Sequence, residues 1–135
     1  MSGSHLDARR VGELASTPVT AAAADVDALS ALHRMYRRGV RQLAVLDEGE
    51  VTGVVSAAEL VRGVAERHAQ PDVTAGDLCS APVLRVDADE LVETAAQRAL
   101  ATRAAAVLVV RGEEICGLIS TDDLLHGLAE EPDRR

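Results

Sequence analysis

Apolar and polar positions follow two rhythms along this chain, and each change of rhythm marks an element. Residues 26–38 carry a helical period, with Leu29, Leu32 and Tyr36 spaced for one face. Asp25 stands where a helix cap belongs, and Gly39 where a helix ends. Two short apolar runs follow, 43–46 and 51–55, joined by Asp47-Glu48-Gly49-Glu50, which is hairpin chemistry. Helical spacing returns from 57 to about 68. The same succession then recurs. A helix is expected over 90–102, opened by Asp87-Ala-Asp-Glu90, which resembles a capping box. Strands are expected over 106–110 and 115–119 around Arg111-Gly112-Glu113-Glu114, and a last helix over 121–129. Short extended segments, 19–21 and 83–86, follow Pro18 and Pro82, while His68-Ala-Gln-Pro-Asp72 reads as a linker.

The recurrence is a repeat of sequence as well as of pattern. A shift of 64 residues places Gly12 on Gly76, Leu14 on Leu78, Pro18 on Pro82, Asp25 on Asp89, Gly53 on Gly117, Ser56 on Ser120 and Gly63 on Gly127, without a gap. Over residues 12–63 against 76–127 there are 15 identities in 52 positions, several times the chance level of an Ala-rich chain. The fold class is therefore α/β of the α+β type, two tandem β-α-β-β-α repeats. The expected organisation is an N-terminal segment 1–9 without fixed structure, repeat one over 10–68, a linker 69–73, repeat two over 74–129 and a tail 130–135.

Composition narrows the functions open to this fold. With one tyrosine and no phenylalanine or tryptophan, the core must be built from Ala, Val, Leu and Ile. The net charge is −8; residues 1–64 hold 7 Arg against 8 acids, and residues 65–135 hold 7 Arg against 14. An acidic chain without stacking aromatics is poorly suited to nucleic acid. Apolar runs fall far short of the roughly 20 residues that span a bilayer. The first residues have neither the basic start nor the apolar stretch of a secretory signal, so a cytoplasmic address is expected, with no membrane contact. Cys79 and Cys116 lack metal or disulfide spacing and read as small reduced core residues. His5, His33, His68 and His126 are scattered without metal spacing, and no nucleophile pattern is assembled, so neither a metal, a required cofactor nor an enzyme is expected.

Two openings, Val11-Gly-Glu-Leu14 and Ala75-Gly-Asp-Leu78, and two signatures, Gly53-Val-Val-Ser-Ala-Ala-Glu59 and Gly117-Leu-Ile-Ser-Thr-Asp-Asp123, resemble those of the cystathionine β-synthase-type, or CBS, domain, whose tandem pairs are called Bateman modules. The resemblance covers about residues 10–129. It implies two repeats packed as one CBS-domain pair, a regulatory module that takes adenosine-containing ligands such as AMP, ADP, ATP or S-adenosylmethionine between the repeats, and a homodimer. It further implies that the signature acid meets the ribose hydroxyls, that the signature Ser or Thr meets ribose or phosphate, and that adenine lies against the repeat openings.

Carried onto this chain, the resemblance makes Ser120, Thr121 and Asp123 ligand contacts, with Ala15 and Pro18 from an opening, and gives Arg41 a phosphate-side place beside Asp123. Physics agrees with such a corner: a strand running into a helix presents free N–H groups to an anion, and a carboxylate accepts both ribose hydroxyls. Ser56, Glu59 and Cys79 form a weaker second set, since Glu59 is one methylene longer than Asp and Ala105 replaces the base. Both signatures equally fit helix caps, Ser56-x-x-Glu59 as a capping box and Ser120-x-x-Asp123 as an approximate one. Asp122 beside Asp123 would repel phosphate, which favours a less anionic ligand such as S-adenosylmethionine or methylthioadenosine. The expected function is a stand-alone sensor that signals an adenosyl ligand to a partner protein the sequence does not name. The alternative is a ligand-free dimerisation or docking module of the same fold.

Overall fold

A computed structural model describes residues 9–15, 19–66 and 72–129 of the chain. Residues 1–8, 16–18, 67–71 and 130–135 lie outside it, and with them the expected tail, nearly all of the N-terminal segment, the candidate contact Pro18 and most of the linker. The elements, after a 3₁₀ turn Val11–Glu13, are β1 Ala21–Ala23, α1 Ala28–Arg38, β2 Gln42–Asp47, β3 Glu50–Ser56, α2 Ala57–Glu66, α3 Ala75–Leu78, β4 Val83–Asp87, α4 Val92–Thr102, β5 Ala106–Arg111, β6 Glu114–Ser120 and α5 Thr121–Ala129. They form two three-stranded sheets, β1-β2-β3 and β4-β5-β6, each with a parallel first pair and an antiparallel hairpin. The expected α+β class with two β-α-β-β-α copies is what the chain adopts.

The chain divides into two compact units whose membership differs from the order of the repeats. Unit 1 comprises Met1–Val19 and Val83–Arg135; unit 2 is the continuous stretch Thr20–Pro82. Each opening thus folds with the sheet of the other repeat. In unit 1, Val11 N–H donates to Glu90 O and Gly12 N–H to Ala88 O, both at 2.9 Å. In unit 2, the equivalent Ala75 N–H donates to Val26 O at 2.8 Å and Gly76 N–H to Ala24 O at 2.9 Å. Val11 is fully buried among Val86, Ala88, Val92, Val107 and Leu124, while Val73 and Ala75 join Ala28, Met35, Leu43 and Leu60.

This docking explains the glycines that coincide in the repeat. A Cβ on Gly76 would sit 2.9 Å from both Cβ and O of Ala24, and one on Gly12 would sit 3.0 Å from Ala88 Cβ. One on Gly53 would meet Cys79 Sγ at 2.6 Å and the Ser80 carbonyl at 3.1 Å. Gly53→Ala therefore forces the 79–80 backbone away from β3, and should lower stability by about 1–3 kcal/mol. Urea titration followed by circular dichroism reads this; an unchanged midpoint would mean that the contact is not close in solution.

Both hairpins form where the turn chemistry places them. Glu48 and Gly49 both have positive φ, 52° and 82°, whereas in the second turn Gly112 takes φ 65°. A bulge falls at the same point of each copy, between Val45 and Leu46 and between Val109 and Val110, beside Gly53 and Gly117. Gly39 ends α1 in the left-handed conformation as expected, and Arg103 adopts it at the end of α4.

Four expectations are corrected. The buried stripe of α1 is Ala28, Ala31 and Met35; of the expected residues Leu32 packs half-buried against the same core, whereas Leu29 is 51 % and Tyr36 86 % exposed. Both stripes have the same spacing, one residue apart, and the small alanines let the helix backbone approach its neighbours more closely than a leucine face would. The cap of α1 is Asp27, not Asp25: its carboxylate accepts from Ser30 N–H at 3.1 Å, and those hydrogen bonds hold its pKa below the ordinary carboxylate value. Asp87 caps no helix, because α4 starts after Leu91; Asp87 instead accepts from Asp89 N–H at 2.8 Å, and Glu90 is drawn into an ion pair with Arg98 at 2.7 Å. The first strand also lies two residues later than 19–21, since Ala21–Ala23 is the stretch in register with Ala44–Leu46. Among the described residues, no helix is long and apolar enough to cross a membrane.

Candidate functional site

In unit 1 the hairpin strand β6 runs into α5 without an intervening loop, so Ser120 is the last strand residue and Thr121 the first of the helix. Leu124 is fully buried and pins the first turn of α5 into the core. Thr121 N–H donates to Ala105 O at 2.9 Å, and its hydroxyl donates to Ala104 O at 2.7 Å. These bonds fix the corner from below. The Thr121 proton is used in holding it, which leaves oxygen lone pairs for any other contact. Ser120 Oγ accepts from Asp123 N–H at 3.0 Å, the cap expected of this signature, while the Asp122 and Asp123 side chains stand exposed. Ala15, half-buried, packs against the same unit's core; Pro18 is outside the described residues. The structure thus brings Ser120, Thr121, Asp123 and Ala15 into one unit.

Unit 2 holds the copy-one counterpart, and it is arranged differently. Ser56 and Glu59 make a complete capping box: Glu59 N–H donates to Ser56 Oγ at 3.0 Å, and Ser56 N–H donates to Glu59 Oε1 at 2.8 Å. The extra methylene that distinguishes Glu59 from Asp123 gives its other oxygen a further partner, the Ser80 hydroxyl, which donates to Oε2 at 3.4 Å. Ser80 is in turn held against β3 by two backbone bonds with Val54, of 2.9 and 2.8 Å. Cys79 lies between, free and half-buried, its thiol donating to Gly76 O at 3.4 Å. Burial, reinforced by the Glu59 and Asp77 carboxylates, pushes its pKa up.

Arg41 lies in unit 2, exposed, just before β2; its carbonyl accepts from Ala57 N–H at 3.2 Å, as Ala105 accepts from Thr121 in unit 1. It borders a cavity of about 580 Å³ lined by Leu32, Met35, Tyr36, Val40 and Ala57, large enough for a small molecule. Sequence reasoning missed the Ser80 contact, because nothing in the spacing ties residue 80 to residue 59. It also missed a capping box at Thr74 and Asp77 that opens α3, with bonds of 3.0 and 3.2 Å, although Thr-x-x-Asp was legible.

The family model described as the CBS domain matches the chain twice, over residues 11–66 and 75–130. The chain belongs to the CBS domain family. A CBS domain-containing protein of unknown function from Kribbella flavida is 25 % identical, with 91 % of this chain and 100 % of that one covered and a TM-score of 0.62. The hexameric CBS-CP12 protein from bloom-forming cyanobacteria is 23 % identical, covering 94 % and 77 %, at a TM-score of 0.68. The CBS domain pair of protein MJ0100, solved in complex with 5′-methylthioadenosine and S-adenosyl-L-methionine, is 20 % identical, covering 88 % and 94 %, at a TM-score of 0.62. No curated protein matches the sequence. The two CBS copies and their α+β fold are thereby shown.

Proposed function

We propose that this CBS protein is a regulatory binder of an adenosyl ligand, not a catalyst, and that the ligand's ribose meets the Ser120–Asp123 corner. The observation that carries the reading is the exposed Asp123 carboxylate at a strand-to-helix corner held rigid by Thr121 and Leu124. A carboxylate at such a corner can accept two ribose hydroxyls. The Asp122 carboxylate favours a ligand of low negative charge such as S-adenosylmethionine. The MJ0100 complex, a pair of similar fold holding that class of ligand, supports the choice. Titration calorimetry with AMP, ATP and S-adenosylmethionine tests it: saturable binding to the intact chain is expected, and absence of binding at millimolar ligand contradicts it.

The reading includes a homodimer. In unit 2, Tyr36 and Leu29 on α1 are 86 % and 51 % exposed and Val61 on α2 is 52 % exposed; in unit 1 the repeat equivalent of Tyr36, Leu100 on α4, is 57 % exposed. We infer that a second copy covers these residues. Equilibrium sedimentation should find a dimer that Tyr36→Glu with Leu100→Glu converts to monomer; a monomeric parent chain would contradict it. Dimerisation without any bound ligand is the second reading, favoured by the engaged Glu59 carboxylate of unit 2.

A further inference from the structure

We propose that Glu59 occupies its own unit's corner from within, so that the carboxylate which would otherwise receive a ribose instead clasps the 79–80 segment; the ligand half of this statement rests on the adenosyl reading above. Glu59 is half-buried, whereas the equivalent Asp123 is exposed. Its Oε1 accepts from Ser56 N–H at 2.8 Å and its Oε2 from Ser80 Oγ at 3.4 Å, so each oxygen already has a donor. Both oxygens are thereby turned onto the chain's own donors, and a diol would have to compete with them for the remaining lone pairs.

The side-chain length is what makes the clasp. Ser56 fixes the first turn of α2, and from there a glutamate reaches Ser80, which lies across β3 on its two bonds to Val54. An aspartate at this position keeps the Ser-x-x-acid cap, as Asp123 keeps it with Ser120 at 3.0 Å, but falls one methylene short of Ser80. The 79–80 segment lies close against β3, where a Cβ on Gly53 would meet Cys79 Sγ at 2.6 Å and the Ser80 carbonyl at 3.1 Å. Glu59 is in this sense a built-in occupant, and the chain takes its adenosyl ligand at one corner only.

The test uses the full chain as Glu59→Asp, with Glu59→Gln as the length-preserving control. Hydrogen exchange of a peptide spanning residues 79–82 reads the clasp, and titration with 5′-methylthioadenosine, which needs no phosphate-side base, reads the corner. Glu59→Asp should speed exchange by about fivefold, the factor expected for losing one modest hydrogen bond, and should bind one more methylthioadenosine per chain than the parent. Glu59→Gln should behave as the parent in both. Equal exchange in Glu59→Asp and parent overturns the clasp, and faster exchange without an additional bound ligand overturns the occupancy. The parent's own stoichiometry judges the adenosyl reading separately, because the proposal is read only from the difference between the two chains.

Discussion

A polypeptide cut to residues 20–82 should fold and unfold in one cooperative urea transition, whereas one cut to residues 10–68, the span of the first sequence repeat, should not. The second cut removes Val73, Ala75 and Leu78 from the core of unit 2 and leaves Val11 and Leu14 without the residues they pack on. Burying side chains such as Val and Leu contributes about 1.5–3 kcal/mol each. It also breaks the bonds from Ala28 N–H to Val73 O, Ala75 N–H to Val26 O and Gly76 N–H to Ala24 O, of 2.8 to 2.9 Å. Together these losses equal or exceed the net stability of a domain this small, which lies toward the low end of about 5–15 kcal/mol. Circular dichroism of the two fragments measures the outcome; equal, cooperative transitions in both would contradict the division of the chain into these units.

A second large effect is expected at Asp123. Charge-assisted hydrogen bonds to a ligand are each worth about 1.5–3 kcal/mol, so Asp123→Ala should weaken S-adenosylmethionine binding by about 10- to 100-fold. The side chain is exposed, and Leu124 holds the helix in place. The variant's thermal midpoint should therefore stay close to that of the parent. Asp122→Asn acts in the opposite direction for phosphates: removing that exposed charge should tighten AMP relative to S-adenosylmethionine. The same titrations carry both comparisons.

The hairpins and their strands were legible because their signals are local. Glu48-Gly49 and Gly112-Glu113 name their turns, and the strict shift of 64 residues supplies each element twice. The exchange of openings was not legible, for a physical reason. Gly12 docks on Ala88 and Gly76 on Ala24, but Ala24 and Ala88 are themselves repeat equivalents, each followed by Asp. The receiving surfaces read alike, so no residue pattern distinguishes an opening packed on its own repeat from one packed on the other. The face of α1 failed similarly, since Ala28, Ala31 and Met35 have the spacing of Leu29, Leu32 and Tyr36, and larger side chains do not mark the buried stripe in an alanine-built core. At the candidate site, the pairing of Ser120 with Asp123 and of Ser56 with Glu59 followed from spacing alone. The Ser80 partner of Glu59 depended on where α3 delivers the chain, which is a tertiary fact.

The central claim is that an adenosyl ligand is held by the copy-two signature. Calorimetric titration of S-adenosylmethionine into the parent chain and into Asp123→Ala, side by side, tests it most directly. The account predicts saturable binding to the parent and an affinity about 10- to 100-fold weaker in the variant at unchanged thermal stability; equal affinity in the two chains, or none in either, would contradict it.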